Sequence, residues 1–203
     1  MASDHLTGFV LAGGKSTRMG RDKATAVLAP RGQTLLETAL AAVRAVAQEV
    51  FIVGSPELYG GYGRALADIV PGCGPLGGIH TALSHTKTEF NLIIGVDTPF
   101  LSAKLLAYLA ERALGPRTMV TAPVIKAYPQ PLCAVYARDF LSIAAAALKA
   151  GNYKIVPLFP TGHTLLVEEA ELAKFAFTAE MFDNLNTQED LERARRRVPR
   201  KDP

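Results

Sequence analysis

The 203-residue sequence lacks tryptophan and contains only two cysteines and four histidines. Cys73 and Cys133 are too few for a disulfide framework and lack zinc-site spacing, so we expect reduced thiols in a cytoplasmic protein. The histidines form no HExxH pattern, which argues against a histidine-based metal site. No apolar run approaches the roughly 20 residues of a membrane span, and the opening MASDHLTG lacks the order of a secretory signal. We therefore expect no membrane partner.

Net charge is also small, at +3, and much of the basic excess lies in RARRRVPRK near the C-terminus. One interpretation is a solvated helix end, where basic side chains suit the negative pole of the helix dipole. The other is a contact with nucleic acid or a protein partner. Aromatic residues are not interleaved with the basic ones, and no binding motif is present, so we expect no nucleic-acid partner. We expect the tail, about residues 193–203, to be mobile.

What the sequence does contain is a regular alternation of short apolar runs with longer segments of helical periodicity. Strands are predicted at 8–13, 50–54, 90–96, 118–124 and 131–136, and helices at 33–48, 75–86, 102–114, 139–150 and 187–197. No repeat or linker divides the chain, and 49% of its residues are hydrophobic. The pattern predicts one α/β domain over 1–203: a Rossmann-like three-layer sandwich with a mostly parallel central sheet and helices on both faces.

Ligands of such sheets bind beyond the carboxyl ends of the strands, which selects residues 12–23, 54–78 and 95–101. The first of these segments includes the run LAGGKSTRMGRDKA. A Walker P-loop would require glycine at position 9, where Phe9 stands; Gly8 is one residue out of register. A GxGxxG fingerprint is absent as well.

The same run still has the chemistry of a phosphate site. Gly13 and Gly14 allow the backbone to approach a ligand closely. Four cations follow within ten residues and could neutralise a triphosphate: Lys15, Arg18, Arg21 and Lys23. The alternative is an ordinary turn with solvated basic residues.

Two carboxylates are predicted at the same edge of the sheet. The strand FNLIIGV delivers Asp97 to its carboxyl end, and a carboxylate beside a polyphosphate is a usual Mg²⁺ ligand. Asp97 could instead cap the following helix, although Ser102 suits that role better. Asp68 lies in the second segment, and a loop-capping role and a ligand contact are both open for it.

Five motifs together make the chain resemble the MobA-like nucleotidyltransferases. They are LAGGKSTRMGRDK at 11–23, GCGPLGGI at 72–79, VDTPFL at 96–101, YPQPLCAVY at 128–136 and FDNLNTQEDL at 182–191. The resemblance covers nearly the whole chain. It implies transfer of GMP from GTP to the terminal phosphate of molybdopterin, with Mg²⁺ as cofactor and release of pyrophosphate. Other molybdenum cofactor biosynthesis proteins or molybdoenzyme chaperones are further expected partners.

The resemblance also implies roles for individual residues. The nucleotide-binding positions are Leu11, Ala12, Gly13, Gly14, Lys23, Asp68 and Asp97. The catalytic positions are Arg18, Lys23 and Asp97, with Asp97 as the metal ligand. From its charge in the basic run, Lys15 is expected to act with them on the phosphates. Those on the molybdopterin side are Gln130, Asn184 and Asn186.

Two positions leave alternatives. Where better-known family members carry a nucleotide-contacting asparagine, this chain has Gly54, so either Ser55 substitutes or the contact is lost. Asn186 could contact the pterin or cap the helix predicted at 187–197. At the level of function, a cytidylyltransferase of the same fold and a catalytically inactive nucleotide-binding protein are the alternatives.

Overall fold

The computed structural model describes residues 5–13, 22–28, 32–115 and 117–197. Its strands are β1 (Leu6–Leu11), β2 (Glu49–Val53), β3 (Arg64–Leu66), β4 (Phe90–Gly95), β5 (Val120–Ile125), β6 (Tyr128–Pro129), β7 (Cys133–Ala137) and β8 (Thr164–Val167). Its α-helices are α1 (Leu35–Arg44), α2 (Pro56–Tyr59), α3 (Gly74–His85), α4 (Ala103–Ala113), α5 (Phe140–Lys149), α6 (Glu169–Ala173) and α7 (Gln188–Arg197).

The strands form one mixed sheet in the order β3-β2-β1-β4-β7-β5-β6, with β8 beside β5. Strands β1 to β4 are mutually parallel, whereas β7 is antiparallel to both β4 and β5. The predicted, mostly parallel sheet is therefore confirmed, with β7 as its main reversed strand. Because β7 runs backwards, its amino end lies at the edge where β1, β2 and β4 end.

Helices cover both faces of this sheet and give it three layers. One core joins residues of α1, α4, α6 and α7 to one face, and a second core joins α3 and α5 to the other. The central strands supply both cores because successive side chains point to opposite faces. In β1, Val10 enters the first core, whereas Phe9 and Leu11 enter the second.

The sequence signals at the helix starts have their expected geometry. Thr34 and Glu37 form a capping box at α1, and the Ser102 hydroxyl accepts the Leu105 amide at α4. At α7 the cap is Thr187, whose hydroxyl accepts the Asp190 amide at 3.1 Å. Asn186 therefore lies just before the cap, and its side chain is not the one that caps α7.

The elements that the sequence did not reveal are short. Strands β3, β6 and β8 and helices α2 and α6 have between two and five residues each. Within the part of the chain that the structure describes, no helix is long and apolar enough to cross a membrane. Cys73 and Cys133 are buried free thiols.

Candidate active site

The carboxyl ends of β1, β2 and β4 meet and are joined by backbone hydrogen bonds. The amide of Val96, after β4, donates to the carbonyl of Leu11 at 3.1 Å. The amides of Ala12 and Gly13, after β1, donate to the carbonyl of Val53 at 2.9 and 3.1 Å. The three predicted segments are thus brought to one edge, as the strand-end rule requires.

Lys23, Asp97 and Asn186 come together at this edge. Lys23 Nζ lies 3.3 Å from Asp97 Oδ2 and 3.1 Å from Asn186 Oδ1. The lysine side chain is 14% exposed and that of the aspartate 26% exposed. Three segments that are far apart in sequence therefore place one cation, one anion and one amide in a partly buried, solvent-facing cluster.

The Asp97 carboxylate is held against the end of β4. A Cβ atom on Gly95 would lie only 2.7 Å from Asp97 Oδ1. Any larger residue at position 95 would therefore displace the Asp97 carboxylate. The Leu185 amide donates to the Asp97 carbonyl at 2.9 Å. Leu185 is buried while both its neighbours are exposed, so this bond also fixes the side from which Asn186 faces Lys23.

The segment that bears Lys23 is anchored from both directions. Asp22 Oδ1 accepts the Ala24 amide at 3.1 Å, which closes a tight turn around Lys23. From the far end of the chain, Arg195 donates through Nε and Nη2 to the Val27 carbonyl at 3.2 and 2.9 Å. Part of the basic C-terminal run therefore fastens α7 to the lysine segment. Arg197 likewise pairs with Asp183, so α7 is tied down to its last described turn; residues 198–203 lie outside the described part of the chain.

Asp68 stands beside the turn that follows β1. A Cβ on Gly13 would lie 3.5 Å from Asp68 Oδ2 and 3.6 Å from the Gly54 Cα. Burial raises the pKa of the Asp68 carboxyl above its ordinary value. No described residue donates a hydrogen bond to this carboxylate, so it is a half-buried acceptor next to the predicted nucleotide turn.

The backbone donors of this turn are less available than the sequence suggested. The Ala12 and Gly13 amides are both used by Val53, as described above, and the Leu11 carbonyl already accepts from Val96. These two amides are therefore not free to bind a nucleobase. Asp68 Oδ2, in contrast, lies beside Gly13 and can accept a hydrogen bond there.

The remaining predicted residues have different surroundings. Ser55 caps α2: its hydroxyl accepts the Leu58 amide at 3.4 Å and donates to Glu57 at 2.6 Å. The Gln130 side chain donates to the Tyr128 carbonyl at 2.9 Å. Asn184 is exposed, as Asn186 is, and buried Leu185 stands between them. Gly14, Lys15 and Arg18 lie outside the described residues.

A divalent metal ion at this site would be held by the phosphates of a bound nucleotide as well as by the protein. Among residues 5–13, 22–28, 32–115 and 117–197, no group of three or more histidine, cysteine or acidic side chains could hold a metal ion. Asp97 is a partly exposed carboxylate beside Lys23, which fits Mg²⁺ because this ion takes one or two carboxylates and completes its octahedron with water and phosphate oxygens.

Four residues that shape the site were not predicted from the sequence: Asp22, Gly95, Arg195 and Tyr59, whose hydroxyl donates to Asp22 Oδ1 at 3.1 Å. Asp22 and Gly95 lie within or directly beside the motifs already noted, and their proximity to Lys23 and Asp97 was an available signal. Tyr59 and Arg195 offered none, because both reach the site only through the tertiary fold.

The sequence matches a known protein family over most of its length. Residues 8–161 match the family model of the MobA-like NTP transferase domain. A probable molybdenum cofactor guanylyltransferase of Halalkalibacterium halodurans is 34% identical over 195 residues, covering 91% of this chain and 94% of the relative. Another from Pelotomaculum thermopropionicum is 33% identical, covering 93% and 91%.

Solved structures agree with this grouping. Molybdopterin-guanine dinucleotide biosynthesis protein A of Archaeoglobus fulgidus superposes with a TM-score of 0.78 at 27% identity, covering 94% of this chain and 97% of that one. A cytidylyltransferase of Thermus thermophilus, with a TM-score of 0.67 at 20% identity and coverage of 93% and 96%, shares the fold. The chain therefore belongs to the MobA-like NTP transferase domain family and is a nucleotidyltransferase.

Proposed function

We propose that this protein transfers GMP from GTP to the terminal phosphate of molybdopterin and releases pyrophosphate. The observation that carries the proposal is the cluster of Lys23, Asp97 and Asn186, with Nζ 3.3 and 3.1 Å from the two partners. The names of the relatives that are 33% and 34% identical supply the nucleotide and the acceptor.

The reaction does not require a general base. A phosphate monoester is an anionic nucleophile at neutral pH and can attack the α-phosphorus of GTP directly, while the bond to pyrophosphate breaks in line. The obstacle is the repulsion between two anions, so the protein must align them and neutralise their charge. The described cluster offers a lysine and a carboxylate for that task and contains no nucleophile–base pair.

Lys23 and Asp97 must exchange partners when substrate arrives. Lys23 would turn from the aspartate to the phosphates and stabilise the charge that develops on the leaving pyrophosphate. Asn186 would retain its bond to the ammonium group during this movement and limit the directions open to it. Asp97 would then be free to hold Mg²⁺, which when bound reduces the negative charge of the triphosphate.

Base selection is assigned to Asp68. Its half-buried carboxylate lies next to Gly13 and can accept hydrogen bonds from guanine N–H groups or from a ribose hydroxyl. Burying this acceptor without a donor is unfavourable, so a base that presents no donor there binds less well. We expect GTP to be used far ahead of CTP.

The acceptor side is assigned to Asn184, Asn186 and Gln130. Asn184 and Asn186 are both exposed, on either side of buried Leu185, and alternate residues of an extended segment can face one ligand. Asn184→Ala should weaken the use of molybdopterin while GTP affinity stays unchanged. An effect on GTP affinity alone would contradict this assignment.

The decisive experiment combines binding and turnover. Thermal unfolding is followed with GTP or CTP in the presence of Mg²⁺, and pyrophosphate and dinucleotide products are measured with molybdopterin as acceptor. The proposal expects a larger shift with GTP and a guanine dinucleotide product. Equal turnover of CTP would indicate a cytidylyltransferase, and nucleotide binding without product would indicate an inactive binding protein.

A further inference from the structure

The place of a side chain at position 54 is filled by the ring of Tyr59. A Cβ on Gly54 would lie 2.7 Å from Tyr59 Cε2 and 3.2 Å from the Gly13 amide nitrogen. Tyr59 is only 4% exposed. The missing asparagine at this position is therefore explained by sterics, because an aromatic ring occupies the space between the ends of β1 and β2.

The hydroxyl of this tyrosine reaches both ends of the predicted phosphate segment. It lies 3.3 Å from the Ala12 carbonyl and 3.1 Å from Asp22 Oδ1. Ala12 precedes the segment 13–21, and Asp22 follows it. One buried phenol, whose single proton is shared between two acceptors, thus lies between the residues that flank segment 13–21.

The carboxylate of Asp22 depends on few partners. Its Oδ1 accepts from Tyr59 and from the Ala24 amide, while Oδ2 is buried and has no hydrogen-bond partner among the described residues. Burial and the nearby negative charge of Asp22 raise the pKa of Tyr59 far above its ordinary value, so the phenol keeps its proton and remains a donor throughout the physiological range. Loss of the hydroxyl would leave the buried carboxylate with the Ala24 amide alone among the described donors.

We propose that Tyr59 is a positioning residue for the nucleotide: through Asp22 it fixes the turn that carries Lys23 relative to the Gly13 backbone. The ring fills the space beside Gly54, after β2, and the hydroxyl lies between the Ala12 carbonyl, after β1, and Asp22 in the turn that contains Lys23. The distance between the base end and the phosphate end of the site is thereby set before the nucleotide binds, which lowers the ordering cost of binding. This inference rests on the proposed function for its nucleotide but not for the connection from Tyr59 to Asp22.

Tyr59→Phe tests the hydroxyl while keeping the ring over Gly54. We expect the KM for GTP to rise about tenfold, because a buried hydrogen bond to a charged group is lost. The KM for molybdopterin should stay the same, and kcat should change less than threefold, or about 0.7 kcal/mol. Tyr62→Phe, a matched change three residues along, should leave all three constants unchanged. A lowered melting temperature with an unaltered KM for GTP would mean that Tyr59 only supports the fold.

A double-mutant cycle tests whether Tyr59 acts through Asp22. Asp22→Ala should raise the KM for GTP as Tyr59→Phe does, and the double variant should be no worse than Asp22→Ala alone. Additive effects would overturn the proposal.

Amide hydrogen exchange separates this inference from the proposed function. In the protein without nucleotide, Tyr59→Phe should accelerate exchange of the Ala24 amide, which donates to Asp22, and Tyr62→Phe should not. Unchanged exchange at Ala24 would overturn the positioning role. Faster exchange in a protein that binds no GTP would preserve the connection and refute the proposed function instead.

Discussion

The two ends of the central strands β1 and β4 carry polar groups of different kinds. At the amino end, Thr7 and Asn91 are 1% and 0% exposed and belong to a network of neutral groups. The Thr7 and Thr88 hydroxyls are 2.8 Å apart, and Asn91 Nδ2 donates to the Tyr136 carbonyl at 3.2 Å. At the carboxyl end, the groups are charged, partly exposed and drawn from three segments.

The polar groups at the amino end stabilise the fold, whereas those at the carboxyl end are available to a ligand. Neutral groups that satisfy one another inside the protein hold the strands in register and leave nothing for a ligand. The Lys23–Asp97 pair has a different character, because a partly exposed ion pair contributes little to stability and both partners are chemically suited to a polyphosphate with its metal. Breaking each end should therefore affect different measurements.

The largest expected effect is on activity at the carboxyl end. Asp97→Asn keeps the size of the side chain and removes its charge, so kcat/KM for nucleotidyl transfer should fall about a thousandfold. GTP binding without metal should fall far less, since a repulsive charge near the triphosphate is removed. Pyrophosphate release and GTP titration measure the two effects.

The matched control for Asp97→Asn is Asp183→Asn, which also breaks an ion pair: Asp183 Oδ2 lies 2.6 Å from Arg197 Nη1. It should retain nearly full activity. A crystal structure with GTP and Mg²⁺ in which Asp97 contacts neither the metal nor a metal-bound water would contradict the assignment.

Lys23→Ala comes next and tests the cation of the same cluster. Turnover should decrease about a hundredfold with the fold intact, because the charge stabilises the transition state more than the ground state. Lys87→Ala removes an exposed lysine between α3 and β4, at the opposite edge, and should have no effect on turnover. If the two variants behaved alike, Lys23 would have no part in catalysis.

The sequence predicted most residues at the carboxyl ends of β1 and β4 but not the contacts between them. The apolar runs of β1 and β4 and the polar residues after them were sufficient to place Asp97 at the sheet edge. The contact between Lys23 and Asn186 could not be foreseen, because it depends on Leu185 bonding to the Asp97 carbonyl and on Arg195 reaching Val27 across most of the chain. Asn186 was expected either to contact the pterin or to cap the last helix, whereas the structure places it against Lys23 and gives the cap to Thr187.

The fold shows the same division between local and long-range information. Helices and strands with a full periodic pattern were predicted correctly, although their predicted ends differ from the observed ones by a few residues. Strand β3 was missed because three residues are too few to show a period. The reversed direction of β7 is also invisible locally, since pairing with β4 and β5 decides it, and periodicity is the same in both directions.

At the amino end, a substitution should change stability and leave catalysis intact. Asn91→Leu removes the side-chain hydrogen bond to the Tyr136 carbonyl and puts an apolar side chain beside Thr88, so the free energy of unfolding should fall by about 1 kcal/mol. Chemical denaturation measures this loss, and turnover per folded molecule should equal that of the wild type. Asn152→Leu, the same change on an exposed turn, should be close to neutral. A loss of turnover in folded Asn91→Leu would mean that the two ends are coupled.

The smallest effect is expected from Asp68→Asn, which should raise the stability of the protein and lower its affinity for GTP. Burial raises the pKa of Asp68, so the folded state disfavours its charged form. This penalty is absent below the unfolded pKa of about 4 and is complete above the folded pKa. The asparagine variant should therefore have a slightly higher melting temperature than the wild type at pH 7, and the difference should disappear as the pH falls below about 4.

GTP affinity should decrease about tenfold, because a charged acceptor is exchanged for a neutral amide. Melting curves at pH 4 and pH 7, together with GTP titration, test both halves. A variant that is less stable at pH 7 and binds GTP normally would show that Asp68 supports the loop rather than the nucleotide.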